Sequence, residues 1–228
     1  LTYQLLLVED DHELASMVTD FLRGEGYAVT SESNGKVAAQ RIQNESYDAV
    51  ILDIGLPGMD GITICKTVRP HFEGPILVLT ARGDEIDEVV ALEVGADDYM
   101  AKPVRPRALL ARLKVHLRRN TTGLQPPANS RICVNDLTID AASRTVEVGS
   151  KPVSLTTAEF DLLWYLAERA GTVVQRSDIY EALQGLPYDG LDRSIDLRVS
   201  RLRKKIELDS NTPLRVKSIR GIGYLLAT

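Results

Sequence analysis

The sequence predicts two domains of different class: an α/β domain on a doubly wound, parallel five-stranded sheet, then a smaller α+β domain. Three observations predict it. The 228 residues exceed one small domain and suit two of about 100–120 residues each. In the first half, short apolar runs alternate with amphipathic stretches; in the second, short strands come first and three helices follow. Between the halves, Asn120–Ser130 holds Thr-Thr-Gly and Pro126-Pro127 with hardly any large apolar residue, the composition of a linker. The expected boundaries are therefore 1–119, 120–130 and 131–228.

The first half is predicted to contain strands at Tyr3–Val8, Ala28–Ser31, Ala49–Leu52, Ile76–Leu79 and Tyr99–Ala101. Leu14, Met17, Val18, Phe21 and Leu22 recur at helical spacing, and Gly24 and Gly26 end that helix. A later helix starts near Asp84 and stops at Gly95. The last spans about Arg107 to Arg118 on Leu109, Leu110, Leu113 and Leu117. Five such alternations in about 118 residues call for a parallel sheet covered on both faces. The flavodoxin-like strand order 2-1-3-4-5 is adopted, with ligands at the carboxyl ends of the strands.

The second half is predicted to open with strands at Ile132–Val134, Leu137–Asp140, Thr145–Val148 and Lys151–Val153. Thr156, with Glu159 three residues on, is a capping box that starts a helix running to about Ala170, where Gly171 ends it. A second helix covers about Arg176–Leu183 and a third about Asp192–Leu208. Two strands near Leu214–Ile219 and Tyr224–Ala227, turned by Gly221-Ile222-Gly223, close the chain. Three helices and a hairpin make a winged helix-turn-helix.

Composition narrows the function. With 44% hydrophobic and 26% charged residues, both halves can build a core. No apolar run approaches the roughly 18–20 residues of a membrane span. Leu5–Val8 is short and runs straight into three acids, which is no signal peptide, so a cytoplasmic location is expected. Cys65 and Cys133 are neither a disulfide framework nor a zinc motif and are expected to be small buried or half-buried hydrophobes. Net charge is −5, unevenly spread. Residues 1–120 carry 13 Lys+Arg against 19 Asp+Glu, and residues 121–228 carry 14 against 13. Arg193 to Arg220 holds nine bases and three acids, so the two halves should meet different partners.

Polar landmarks sit where the buried strands end: Glu9-Asp10-Asp11, Asp53, Thr80, and Lys102-Pro103 with Tyr99 just before. Four strands would thus deliver carboxylates, a cation and a hydroxyl to one rim. Oxygen ligands without His or Cys select a hard divalent ion, and Mg²⁺ is the usual one in phosphoryl chemistry. Such a metal would offset repulsion between Asp53 and an incoming phosphoryl group. Lys102 can balance phosphate charge, and the Thr80 hydroxyl can donate to a phosphate oxygen. An isolated strand-end Asp more often caps the next helix, and Asp11 is read that way.

Residues 3–119 resemble the receiver domain of response regulators, and Asp53-Ile54-Gly55-Leu56-Pro57-Gly58-Met59-Asp60-Gly61 matches that family's loop. The resemblance implies that Asp53 accepts a phosphoryl group from a phosphohistidine on a sensor histidine kinase. It implies Mg²⁺ on Glu9, Asp10, Asp53 and the Gly55 backbone carbonyl, with Lys102 at the phosphoryl group. Thr80 and Tyr99 take switch roles, and the Lys102-Pro103 bond is expected to be cis. A receiver-like module governed without phosphorylation, or an enzyme turning over an aspartyl phosphate, would be built on similar parts. The second lacks a general acid, because Gly55 stands where such hydrolases place an aspartate. The expected role is a phosphoacceptor, with at most slow autophosphatase activity.

The resemblance narrows to the OmpR/PhoB subfamily, whose receivers form a symmetric activated homodimer. It implies an interface carrying Glu93, Asp97, Asp98, Arg112, Lys114 and Arg119. Ala108 departs from the pattern, since an acid is common there. In the 192–208 helix, Ile195, Val199, Leu202 and Ile206 fall on a core face, opposite Arg193, Leu197, Ser200, Arg201 and Lys204. A helix with a buried stripe and a cationic outer face suits the major groove of double-stranded promoter DNA. Arg193, Leu197, Arg198 and Arg201 are assigned to the base-facing surface, Lys204 and Lys205 to phosphates, and Arg220 to the adjacent minor groove. Ser218 or Tyr224 would touch the backbone, and Arg203 would be structural. Asp192-Arg193-Ser194-Ile195-Asp196 and Arg220-Gly221-Ile222-Gly223-Tyr224 resemble the OmpR/PhoB effector domain. Tyr188–Arg193 and Leu109–Leu113 are similar to its RstA branch. The loop Gln184–Gly190 lies where such relatives meet RNA polymerase.

Overall fold

The computed structural model describes residues 2–80, 85–121, 130–185, 188, 190, 193–207 and 215–228, without the side chains at 85–89 and 118–121. Several expectations lie outside those residues: the helix start at Asp84, most of the linker, parts of the 184–190 loop, the ends at Asp192, Leu208 and Leu214, and the Arg119 side chain. The chain divides into two compact units, Leu1–Leu117 and Arg118–Thr228.

The first unit alternates strand and helix throughout: β1 (Gln4–Val8), α1 (His12–Gly24), β2 (Ala28–Glu32), α2 (Gly35–Asn44), β3 (Ala49–Asp53), α3 (Gly61–Val68), β4 (Ile76–Thr80), α4 (Glu85–Val94), β5 (Asp98–Ala101) and α5 (Pro106–Thr121). The sheet runs β2-β1-β3-β4-β5 with every pairing parallel. Every residue of β3 and β4 is buried, because helices cover both faces of the sheet. One face packs Leu5, Leu7, Ile51, Leu77 and Leu79 against Val18 and Leu22 of α1 and Leu109, Leu113 and Leu117 of α5. Asp11 caps α1 by accepting from the Glu13 and Leu14 amides at 2.9 and 3.1 Å. The last helix extends past its expected end at Arg118 to Thr121. No Gly or Pro interrupts it before Gly123, so the first two residues of the expected linker are helical.

The second unit begins with a four-stranded antiparallel sheet of β6 (Arg131–Val134), β7 (Leu137–Asp140), β8 (Thr145–Val148) and β9 (Lys151–Pro152). Three helices follow, α6 (Thr157–Ala167), α7 (Arg176–Gln184) and α8 (Ser194–Ile206). Thr156 and Glu159 form the expected reciprocal box at the start of α6. The closing hairpin of β11 (Val216–Ile219) and β12 (Gly223–Leu226) gains a third strand, β10 (Val174–Gln175), in the order β10-β12-β11. Two residues carry too little pattern to be read as a strand. Phe160, Leu163, Leu166, Ile179, Ile195, Val199 and Leu202 lie in one core with Val216 and Leu226.

Candidate functional site

The parallel register sets the carboxyl ends of the strands side by side. Val8 pairs with Leu52, Asp53 with Leu79, and Thr80 with Ala101. Glu9, Asp53, Thr80 and Lys102 therefore project from four strand ends into one cleft of about 330 Å³, lined also by Asp10, Asp11, Ile54 and Gly55. The Lys102 ammonium donates to Glu9 Oε1 at 2.9 Å and lies 3.0 Å from Asp53 Oδ1. Its backbone amide donates to the Thr80 carbonyl at 2.7 Å, and the Lys102-Pro103 bond is cis. Thr80 is buried, Tyr99 half-buried.

Electrostatics in the cleft follow from burial. Desolvation pushes the Glu9 carboxyl above the ordinary carboxylate range, and the Asp53 charge adds to the push while Lys102 opposes it. Burial works to lower the Lys102 ammonium, but its bonds to Glu9 and Asp53 outweigh that and hold it above the usual range. One carboxylate oxygen, Glu9 Oε2, is buried with no hydrogen-bond partner among the described residues, although a buried acceptor normally has one. Ligand atoms of Glu9, Asp10 and Asp53 all lie within 4.8 Å of one another. An all-oxygen donor set with an orphaned carboxylate oxygen fits a hard cation such as Mg²⁺.

The loop after Asp53 leaves no slack. A Cβ on Gly61 would sit 2.1 Å from the Asp53 carbonyl oxygen. Asp60 caps α3 through the Thr63 amide at 2.8 Å, so the helix start grips the strand that carries Asp53.

The surface of β5 and α5 departs from expectation. Asp97 and Asp98 are fully buried. Asp97 accepts from Arg69 Nη1 and the Ile76 amide, both at 2.9 Å. Asp98 accepts from Arg112 Nη1 at 2.6 Å and faces His116 Nε2 at 3.4 Å. Burial alone would raise the Asp98 carboxyl, but the bond to His116 and the Arg112 charge hold it below the ordinary range. These two acids and Arg112 thus pair within the protomer, which corrects their assignment to pairs between protomers. A buried carboxylate needs its compensating cation at hand. Glu93 is exposed, and exposed Lys114 lies 3.5 Å from Glu25.

On α8 the buried stripe is Ile195, Val199, Leu202 and Ile206, as expected, but fully buried Arg198 belongs to it. Arg198 lies three residues past Ile195 and four before Leu202, the middle of the inward face. Its assignment to the bases is therefore corrected. Arg193, Ser200 and Lys204 are exposed, and Leu197 and Arg201 half-buried. Lys205, expected at a phosphate, lies 2.7 Å from Glu159 of the capping box. Tyr224, expected at the DNA backbone, is 3% exposed and donates its hydroxyl to Asp196. Burial, then that bond, pushes its phenol up to about 12. Arg203 bonds the Val216 carbonyl and the exposed Ser218 hydroxyl, and Arg220 stands exposed at the hairpin tip. Cys65 is buried, but Cys133 is exposed, contrary to expectation: in β6 alternate residues face solvent.

One cation beside the hairpin escaped the sequence reading. Arg176 stacks 4.9 Å over the Tyr224 ring and bonds Asp196 at 2.9 Å. Only the pairing of β10 with β12 brings it there, and two strand residues give no usable signal.

Comparison with known proteins agrees with both units. Residues 5–114 match the response regulator receiver domain family, and residues 150–226 match the C-terminal domain of transcriptional regulatory proteins. The chain is 42% identical to the transcriptional regulatory protein RstA of Escherichia coli K12, covering 98% of this chain and 97% of that one. It is 38% identical to the sensory transduction protein RegX3 of Mycolicibacterium smegmatis, covering 97% and 98%. Among solved structures, DrrB of Thermotoga maritima, an OmpR/PhoB homolog, is 32% identical and aligns over 100% of both chains with a TM-score of 0.53. Among the described residues, no helix is long and apolar enough to cross a membrane.

Proposed function

The chain belongs to the response regulators that join a receiver domain to an OmpR/PhoB-type DNA-binding domain, which are transcription factors, and from that premise we propose how its residues act. Asp53 is the phosphoacceptor. Its carboxylate oxygen attacks the phosphorus of a phosphohistidine on a sensor histidine kinase. The new O–P bond forms as the P–N bond breaks, and the electron pair leaves with the imidazole. Lys102 leaves its bridge between Glu9 and Asp53 to hold a phosphoryl oxygen, and the Thr80 hydroxyl donates to another. Tyr99 follows Thr80 as the switch residue. Glu9, Asp10, Asp53 and the Gly55 carbonyl would hold Mg²⁺, which supplies positive charge against the phosphoryl oxygens.

The observation that carries this reading is the Lys102 ammonium placed 2.9 and 3.0 Å from two buried carboxylates at the ends of separate strands. Phosphorylation adds negative charge to that arrangement and favours a receiver homodimer, with Glu93, Lys114 and Arg119 among its surface charges. Dimerisation raises the local concentration of two DNA-binding domains on a repeated promoter site. Arg193, Leu197, Ser200 and Arg201 face the bases, Lys204 and Ser218 the backbone, and Arg220 the minor groove. The protein works in the cytoplasm, with the 184–190 loop toward RNA polymerase.

Incubation with a small phosphodonor and Mg²⁺, followed by intact mass, tests the acceptor. A stable adduct of one phosphoryl group, lost in Asp53→Asn, is expected. No adduct would leave a module governed without phosphorylation, and rapid turnover would indicate an enzyme.

A further inference from the structure

Outside the phosphoacceptor cleft, a cavity opens between the end of β5 and the start of α5. It measures about 290 Å³; Met100, Ala101, Pro103 and Ala108 supply apolar surface, and Arg105 and Arg112 carry charge beside it. Local sequence makes this space. The Leu109 amide donates to the Arg105 carbonyl at 3.0 Å, so Arg105 belongs to the first turn. Arg105, Ala108 and Arg112 then follow at spacings of three and four, which puts them on one stripe. Leu109 and Leu113 are fully buried on a different face, and the methyl group of Ala108 leaves a gap between two long cationic side chains. β5 is the edge strand, so among the described residues no further strand covers the gap. Lys102 lines both this cavity and the phosphoacceptor cleft.

Charge at this place is one-sided. The first turn of α5 holds no acid, although the positive end of a helix dipole favours one. Arg105 is exposed and makes no ion pair among the described residues. Arg112 gives Nη1 to Asp98 at 2.6 Å, but that acid is fully buried and offers nothing to the cavity mouth. A guanidinium fork pairs with a planar carboxylate through two parallel hydrogen bonds. The apolar surface between the arginines disfavours a bare, fully hydrated anion such as phosphate. A space of this size lies at the small end of those that take organic ligands. An Asp or Glu side chain of another protein would reach the arginines but bring little apolar body to cover Met100 and Pro103.

We propose that this cavity binds a small organic carboxylate, its acid group held by Arg105 and Arg112 and its apolar body laid over Ala108 against Met100 and Pro103. No phosphotransfer step enters the binding, so its failure and that of the phosphoacceptor reading are separate. Benzoate serves as the probe, with acetate and inorganic phosphate beside it, and binding to the full-length protein is followed by ligand-observed saturation-transfer NMR. Saturable benzoate binding is expected, at least about tenfold tighter than acetate, which is what burying about two methylene equivalents adds. Ala108→Glu fills the gap with bulk and like charge and should abolish binding. That variant should fold, since an acid in the first turn favours the helix, and its melting temperature checks this; if it melts early, Ala108→Leu fills the gap without charge and replaces it. Arg105→Gln should weaken benzoate about 3–10-fold. Arg107→Gln, at an exposed base of the same helix outside the cavity, should leave it unchanged. Benzoate that does not saturate, or binds no tighter than acetate or phosphate, overturns the proposal. So does binding that survives the filled gap, that is unmoved in Arg105→Gln, or that falls equally in Arg107→Gln, which would mean diffuse attraction to surface charge.

Discussion

Replacing Lys102 with methionine keeps an unbranched side chain, one atom shorter, and removes the charge from between Glu9 and Asp53. Those two side chains are 1% and 5% exposed, with the ammonium 2.9 and 3.0 Å away. At an effective dielectric of about 20, each contact near 3 Å represents about 5–6 kcal/mol of attraction, and carboxylates within 4.8 Å repel by about 3–4 kcal/mol or more. Desolvation offsets much of this, and losing one partner of a buried pair typically costs about 3–5 kcal/mol. Lys102 itself is 26% exposed, so solvent screening brings the expectation to about 3 kcal/mol near pH 7.5. The loss should depend on pH. Glu9 already sits above its ordinary value of 4.5, and without Lys102 it rises further. A raised carboxyl means that the folded state keeps a proton that the unfolded chain releases. Its stabilising contribution is full below about 4.5 and is lost as pH rises through the folded value. The deficit of Lys102→Met should therefore widen from about pH 5 to about pH 7.5, by at most about 1.4 kcal/mol per unit. Urea unfolding in metal-free buffer, read as the midpoint at constant m-value, measures it. Adding Asp53→Asn should recover part of the loss. A variant as stable as wild type at both pH values, or a deficit that shrinks as pH rises, refutes the bridge.

Three further outcomes are expected. Mg²⁺ should raise the melting temperature, by about 1.4 kcal/mol of stability at ten times its dissociation constant, and more at neutral than at acid pH, because Glu9 must be ionised to ligate; a melting curve indifferent to Mg²⁺ removes the metal. Gly61→Ala should cost about 1–3 kcal/mol and slow phosphorylation, since its Cβ lands 2.1 Å from the carbonyl of Asp53; a wild-type unfolding midpoint and labelling rate would show that the loop can give. Arg201→Ala should weaken specific DNA binding by about 1–3 kcal/mol, and buried Arg198→Ala should lower stability by about 2–4 kcal/mol; unchanged binding in the first or unchanged melting in the second would overturn the assigned faces of α8.

The elements follow from periodicity, and the convergence of Glu9, Asp53, Thr80 and Lys102 from where the apolar runs stop, whereas the strand order is adopted as a common one for such sheets. A parallel sheet places every strand end on one rim, so five local patterns suffice to assemble that cleft without knowing a single contact. Arg198 shows the limit of reading charge before phase: its helical position already placed it inward.

Other features depend on partners that the chain brings from far away. Asp97 is buried because Arg69, 28 residues earlier, meets it, and Lys205 is occupied because Glu159, 46 residues earlier, lies beneath it. Asp196, Tyr224 and Arg176 become one cluster only when β10 joins the hairpin. Periodicity says which face of an element turns inward, since that follows from backbone geometry. Which charge waits on the other side is a matter of packing between distant segments, and burial makes that choice decisive by leaving an unpaired charge no water to turn to.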